Sequence, residues 1–241
     1  MKTLNGENTL LQSLVCSFII LSCLMLSPKA SYAAEDDSRM ENISAGAVAV
    51  LPFVKGDITE QFRSKNASPL VCPINQICID LSEGDETLLF MERLDADLDK
   101  VLRKRLGPSL LSHEATVRKY KQITIDPIKD TPLTRALILA RKIQGDYVLV
   151  PILWNYSERV GNQYAVTEPA SVAFSLYLVS AKLEKKVWEE SFDKTQQSLT
   201  DNILNVKDMF QFGGKWVTAE ELSQVGIHNI IEDFPLGTTG K

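Results

Sequence analysis

The sequence predicts an α+β domain in which a mixed sheet packs against two helices, in the order β-α-β-α-β-β, with further helices at the C-terminus. Three observations carry this expectation. Residues 45–54 (AGAVAVLPFV) form a nearly continuous apolar run of strand length, the pattern of a strand buried on both faces. Residues 86–106 and 131–145 repeat apolar side chains at three- and four-residue steps, which is helical spacing. Residues 172–179 alternate instead, which is strand spacing.

The chain opens as a signal peptide does. Lys2 lies in a short polar start, residues 14–26 are apolar, and Ser31 and Ala33 put small residues at −3 and −1 of a cleavage before Ala34. The apolar run is too short for a stable span, which needs about 20 residues. Ile20-Leu21-Ser22-Cys23 offers a second form of export, lipidation of Cys23: the small residue before the cysteine fits a lipobox, whereas Leu24, Met25 and Leu26 prolong the apolar run past it. Membrane contact is expected only through such an N-terminal lipid. The organisation that follows is a signal peptide over 1–33, a polar disordered lead-in over 34–44, an α/β domain over 45–197 with an insertion at 55–83, and a helical extension over 198–241.

Each element has its own signal. Pro52 marks the end of the first strand, and the insertion carries Gly56, Asn66, Ser68, Pro69 and Asn75 without helical period. The first helix, 86–106, sets Met91, Leu94, Leu98, Val101 and Leu102 on one face and stops at Gly107-Pro108. Residues 109–130 fit no single pattern, with a weak strand expected at 122–125. Thr131 caps the second helix, Pro132 takes its first position, Leu133, Ala136, Leu137, Ala140 and Ile143 form its apolar face, and Gly145 follows. Residues 146–159 begin apolar on both sides and alternate from Trp154, as a strand leaving the core does. After a turn at Gly161-Asn162, residues 172–179 read as a half-buried antiparallel strand and 186–192 as its shorter partner. In the tail, Ile203, Val206 and Phe210 share a helical face. Thr218 with Glu221 forms a capping box, and Val217 with Leu222 a hydrophobic staple, for the last helix.

Composition bounds the function. With 44% hydrophobic and 24% charged residues the chain has ordinary globular material for a core, and its net charge is −5. Loss of Lys2, Lys29 and Glu7 with the leader leaves a net charge of about −6. That balance argues against nucleic-acid binding, and the short clusters Arg103-Lys104-Arg105 and Arg118-Lys119-Tyr120-Lys121 read as solvated faces. After cleavage only Cys72 and Cys78 remain, in VCPINQIC. Pro73 and Asn75 favour a bend there, so an oxidising compartment would close a small disulfide loop; the competing reading is two separate thiols. No cofactor or metal is expected. A zinc site would need His113 or His228, neither of which stands at ligand spacing.

At this point the strand VAVLPF, the helix ending in QGDYVLVPILW and the hairpin VAFSLYLVSAKLEKKVWEESF taken together resemble a known group. It is the α/β domain shared by the TolB amino-terminal domain, the curli-secretion lipoprotein CsgG and related small envelope lipoproteins, over residues 46–195. The resemblance implies a periplasmic or outer-membrane-associated assembly or adaptor unit whose partners are envelope proteins. It does not extend to a pore, because the chain lacks pairs of strands of about ten alternating residues that could build a membrane barrel.

No catalytic site is expected. The nucleophile motif G-x-S-x-G, the P-loop and G-x-G-x-x-G are absent, and Gly213-Gly214-Lys215 lacks both the upstream Gly and the following Ser or Thr. Asp95-Ala96-Asp97-Leu98-Asp99 starts like a calcium loop but has Lys100 where Gly is needed and Leu106 where a bidentate Glu is needed. The surplus is aromatic: Trp154, Tyr156, Phe210, Phe212 and Trp216 stand where strands end or helices break and form the candidate partner surface, their competing role being to pack the tail onto the sheet. The expectation is therefore a non-enzymatic exported adaptor or assembly factor. Its rivals are a periplasmic hydrolase working through scattered carboxylates and a purely tethering lipoprotein.

Overall fold

Strand β1 (Val48–Val50) and the short β2 (Val54–Lys55) pair in parallel with the long β3 (Tyr147–Ser157). A separate small hairpin follows, β4 (Val160–Gly161) with β5 (Val166–Glu168). The chain then returns as β6 (Ser171–Ser180), antiparallel to β3, and β7 (Lys185–Thr195), antiparallel to β6. The result is a mixed sheet, as the sequence predicts, and its strand order is β1-β3-β6-β7, with β2 continuing alongside β3. The computed structural model describes residues 46–56, 74, 85–126, 129–197 and 215–237, all within the second of two compact units, Ile43–Lys241. Cys23, Ala33, Ala34, Cys72, Cys78, Phe210 and Phe212 lie outside the described residues, as do most of the insertion and the start of the tail.

The apolar run at 45–54 forms two strands rather than one. Val50 pairs with Leu149 and Val54 with Ile152, so three residues, Leu51 to Phe53, face two. Backbone N–H groups of Leu51 and Gly56 reach the carbonyls of Leu149 and Leu153, so alternate β3 residues point toward this edge. Pro151 is the one between them, and it has no N–H to offer. The break thus sits where the ladder has nothing to give, and the freed Phe53 N–H is taken up by Asp95 at 2.9 Å.

Helix α1 (Asp85–Leu106) covers one face of the sheet, and the other face belongs to α2 (His113–Tyr120) and α3 (Pro132–Ile143). The last helix, α4 (Ala219–Glu232), joins α1 on its face. Their shared core holds Leu94, Leu98 and Leu102 from α1, Phe174 and Leu178 from β6, and Leu222, Ile227 and Ile230 from α4. The α2/α3 face covers a second cluster that includes Ala136, Leu139, Val150, Trp154 and Tyr177. Ile74, from the insertion, is buried in this cluster and its carbonyl accepts from Leu133 N–H at 3.0 Å. Among the described residues, no helix is long and apolar enough to cross a membrane.

Several expectations are corrected. The weak strand at 122–125 does not form; Ser112 accepts from Ala115 N–H and starts α2 just upstream, and the chain then turns. Strand β6 is buried on both faces rather than one, because α3 covers the side holding Ala173, Ser175, Tyr177 and Val179. Its partner β7 is of matching length, not shorter. The left-handed residue ending α3 is Gln144, φ 54°, one place before the expected Gly145. The caps at Thr131 and the capping box at Thr218 and Glu221 stand as expected, and Val217 and Leu222 are both buried.

Arg103-Lys104-Arg105 is not uniformly a solvated face. Arg103 pairs with Asp99 at 2.7 Å on the helix surface, but the Arg105 guanidinium donates to the carbonyls of Phe234 (2.6 Å) and Leu236 (3.0 Å) just past the end of α4. It fastens the segment that follows α4 to α1.

Candidate interaction surface

Strand β3 leaves the core where its apolar run gives way to Asn155, Tyr156 and Ser157, and the candidate surface is built around that exit. Tyr156 stacks on Phe90 of α1 with ring centroids 4.0 Å apart. Its hydroxyl is held above the usual tyrosine range, chiefly by desolvation and then by Glu158 and Glu86, with Arg93 opposing them. Immediately upstream of Phe90, Leu88 and Leu89 are 39% and 55% exposed.

Beyond Tyr156 the chain enters the β4–β5 hairpin. The Asn162 side-chain oxygen accepts from the N–H groups of Tyr164 (2.9 Å) and Ala165 (3.1 Å), a local turn that fixes the tip. Gly161, at φ 130°, occupies backbone space that a side chain would strain. The tip presents Tyr164, 76% exposed, and the base Val160, 52% exposed.

Polar contacts sew the segment before α4 to this hairpin. Trp216 N–H donates to the Gln163 carbonyl at 3.0 Å, and Arg159 donates to the Trp216 carbonyl. Gln196 gives its amide N–H to the Lys215 carbonyl and accepts from Val217 N–H, each at 2.8 Å. The Glu158 carboxylate accepts from Ala219 N–H at 3.1 Å, placing an anion at the N-terminus of α4. An open cleft of about 420 Å³ runs beside this segment, lined by Arg159, Gln163, Lys215, Trp216 and Val225 among others.

The predicted aromatic residues therefore separate. Trp154 is 5% exposed, and its indole N–H donates to the Ser175 hydroxyl at 2.7 Å, so it belongs to the core. Tyr156 and Trp216 are half-buried and share one end of the sheet. Leu88, Leu89, Val160 and Tyr164 join them there and were not singled out in the sequence. Adjacent leucines at a helix start break the three- and four-residue spacing, and that was the available signal.

The chemistry is dispersed. Asp95, Asp97 and Asp99 reach three different partners, the Phe53 N–H, the Gln224 amide and Arg103, as rotation along a helix requires. Among the described residues no group of three His, Cys, Asp or Glu side chains could hold a metal ion. His113 opens α2 with its Nδ1 buried, whereas His228 is exposed on α4, on the other side of the sheet.

No family model matches the chain, and no curated protein does. Solved structures that it resembles include the PelC dodecamer from Paraburkholderia phytofirmans, at 12% identity and a TM-score of 0.41 over 80% of this chain and 87% of that one. Lipoprotein GNA1162 from Neisseria meningitidis matches at 14% and 0.39, over 78% of this chain and 97% of that one. LpoB of E. coli matches at 15% and 0.33, over 63% and 57%. At these identities and TM-scores the likenesses assign neither a family nor a function to this chain.

Proposed function

We propose that the chain is an exported protein of the bacterial cell envelope, related to the TolB amino-terminal and CsgG-like domains, that acts without catalysis as an adaptor or assembly factor. In this reading residues 1–33 are removed on export, Cys72 and Cys78 form a disulfide in the insertion, and the body works in the periplasm or at the outer membrane. The observation that carries it is the end of the sheet where β3 exits. Leu88, Leu89, Val160 and Tyr164 are exposed there beside half-buried Tyr156 and Trp216, on a hairpin braced by side-chain and backbone hydrogen bonds. Exposed apolar and aromatic groups on a braced support favour a protein partner, because little conformational freedom is lost on binding.

The test is a photo-crosslinking residue at Tyr164 in intact cells, with the same residue at Leu183, 48% exposed in the β6–β7 turn at the opposite end of the sheet. The expected result is adducts to a defined set of envelope proteins from position 164 and not from 183. Mass spectrometry of the N-terminal peptide then distinguishes a start at Ala34 from an acylated Cys23. Equal labelling from both positions, or an uncleaved N-terminus in the cytosol, overturns the reading.

A further inference from the structure

Helices α1 and α4 run parallel, and cross-links between their side chains hold a constant offset. Arg93 meets Glu220 at 3.0 Å and Asp97 meets Gln224 at 3.1 Å, both pairs 127 positions apart. At the far end Arg105 closes the pair by donating to Phe234 and Leu236. Between these bridges lies an unbridged stretch. There the same offset sets Lys100, Val101 and Lys104 beside Ile227, His228 and Ile231, so neither lysine finds an acid across from it.

That stretch is a cleft of about 500 Å³, lined by Asp97, Lys100, Val101, Lys104, Glu221, Gln224, Val225, Ile227 and His228. Its two acids are engaged, Asp97 by Gln224 and Glu221 by the Thr218 backbone N–H. Lys100 and Lys104 are exposed, one turn apart on one wall, and without an ion pair among the described residues. Val101, Val225 and Ile227 give the cleft an apolar floor. It spans about two helical turns, roughly 10 Å at 1.5 Å per residue.

The geometry points to a binding site for a small anionic amphiphile, a carboxylate or comparable anion on an apolar body of about ten carbons. The anion sits between Lys100 and Lys104, near the His228 imidazole, and the apolar body lies on the valine and isoleucine floor. The volume is in the range that small-ligand sites use, and an apolar floor beside placed charges is their usual lining. An acidic helix from a partner would meet the same charges, but the bridges at both ends limit the opening to two turns, which favours the small ligand.

The experiment uses the mature chain with decanoate as probe and decanol as its uncharged counterpart, followed by calorimetry and by NMR of the Val225 and Ile227 methyls. Decanoate should bind saturably at one site and at least about tenfold more tightly than decanol, a factor worth ~1.4 kcal/mol. Lys100→Glu with Lys104→Glu should remove that preference, while Arg118→Glu with Lys119→Glu, the same charge change on the other layer, should leave it. Val225→Trp, which fills the cleft without altering charge, should abolish binding. Equal affinity for both probes, equal weakening by both charge reversals, or saturable binding of a Glu/Leu amphipathic helical peptide with none of decanoate would each overturn the proposal.

Discussion

The two faces of the sheet are covered by different means. On the α1/α4 face, large aliphatic and aromatic side chains from six elements form one cluster, in which Leu94, Leu98 and Leu102 join Leu149, Leu153, Phe174 and Leu178. On the α2/α3 face α3 contributes two small residues, Ala136 and Ala140, beside Leu139, and the sheet contributes the bulky Trp154 and Tyr177. There a polar chain runs through the layer: Trp154 donates to Ser175, whose hydroxyl meets that of Ser191 at 2.6 Å. The first face is held by apolar bulk and the second by close fit and hydrogen bonds, and deletions on the two should cost differently.

The largest expected effect tests bulk. Leu98 and Leu139 are both fully buried, one on each face. Leu98→Ala should cost about 3–4 kcal/mol in chemical denaturation, because the cavity is fenced by large side chains that cannot close over it, and Leu139→Ala about 1 kcal/mol less. Equal costs would mean that the two layers are packed alike.

The next effect depends on pH. Asp95 is raised from 3.8 to about 7, mainly by desolvation, with the Phe53 hydrogen bond opposing and Glu92 adding to the rise. The native state therefore favours its protonated form. That stabilisation is complete below about pH 4 and is lost as pH rises toward 7. Asp95→Asn keeps an acceptor for Phe53 N–H and removes the buried charge, so it should raise stability by about 2 kcal/mol at pH 8 and leave it unchanged at pH 3.5. A variant with the wild-type slope between pH 4 and 7 would show that Asp95 stays charged at no cost.

How much of this is legible in the sequence follows from the range of each interaction. Caps, turns and periodicity are local, and the signals at Thr131, Pro132, Thr218 and Glu221 correspond to observed helix starts. The break in the first strand is not local: Pro52 hints at it, but its position depends on Pro151, a hundred residues away. Arg105 likewise reads as one of three surface cations until the segment after α4 places two carbonyls in reach. Of the candidate partner surface, Tyr156 and Trp216 share the exposed end, whereas Trp154 lies on the opposite side of β3, in the core. Periodicity alone would put Trp154 and Tyr156 on one face with Val150 and Ile152; the β-bulge between Leu153 and Asn155 separates them, and nothing local in the sequence marks it.

A smaller effect probes the polar chain on the second face. Trp154→Phe keeps an aromatic ring against Gly56, which lies so close that a Cβ there would come within 2.2 Å of the indole, but removes the N–H that binds Ser175. Ser175 retains Ser191 as partner, so the buried hydroxyl is not orphaned, and the cost should be about 1–2 kcal/mol. A loss of 4 kcal/mol or more would indicate that the ring volume, not the hydrogen bond, holds this face.

The smallest effect contrasts the helix ends on the two faces. Helix α4 ends without a left-handed residue, the Asp233 N–H returning to the Ile231 carbonyl, whereas α3 ends at Gln144, which turns left-handed and returns its N–H to the Ala140 carbonyl. A side chain in that conformation costs energy that glycine does not. Gln144→Gly should therefore raise stability by about 0.5–1 kcal/mol, less the extra entropy of glycine in the unfolded chain. The same replacement at Asp233, φ −95°, relieves no strain and should lower it. If both substitutions destabilise equally, the left-handed turn at Gln144 is held by contacts that offset its strain.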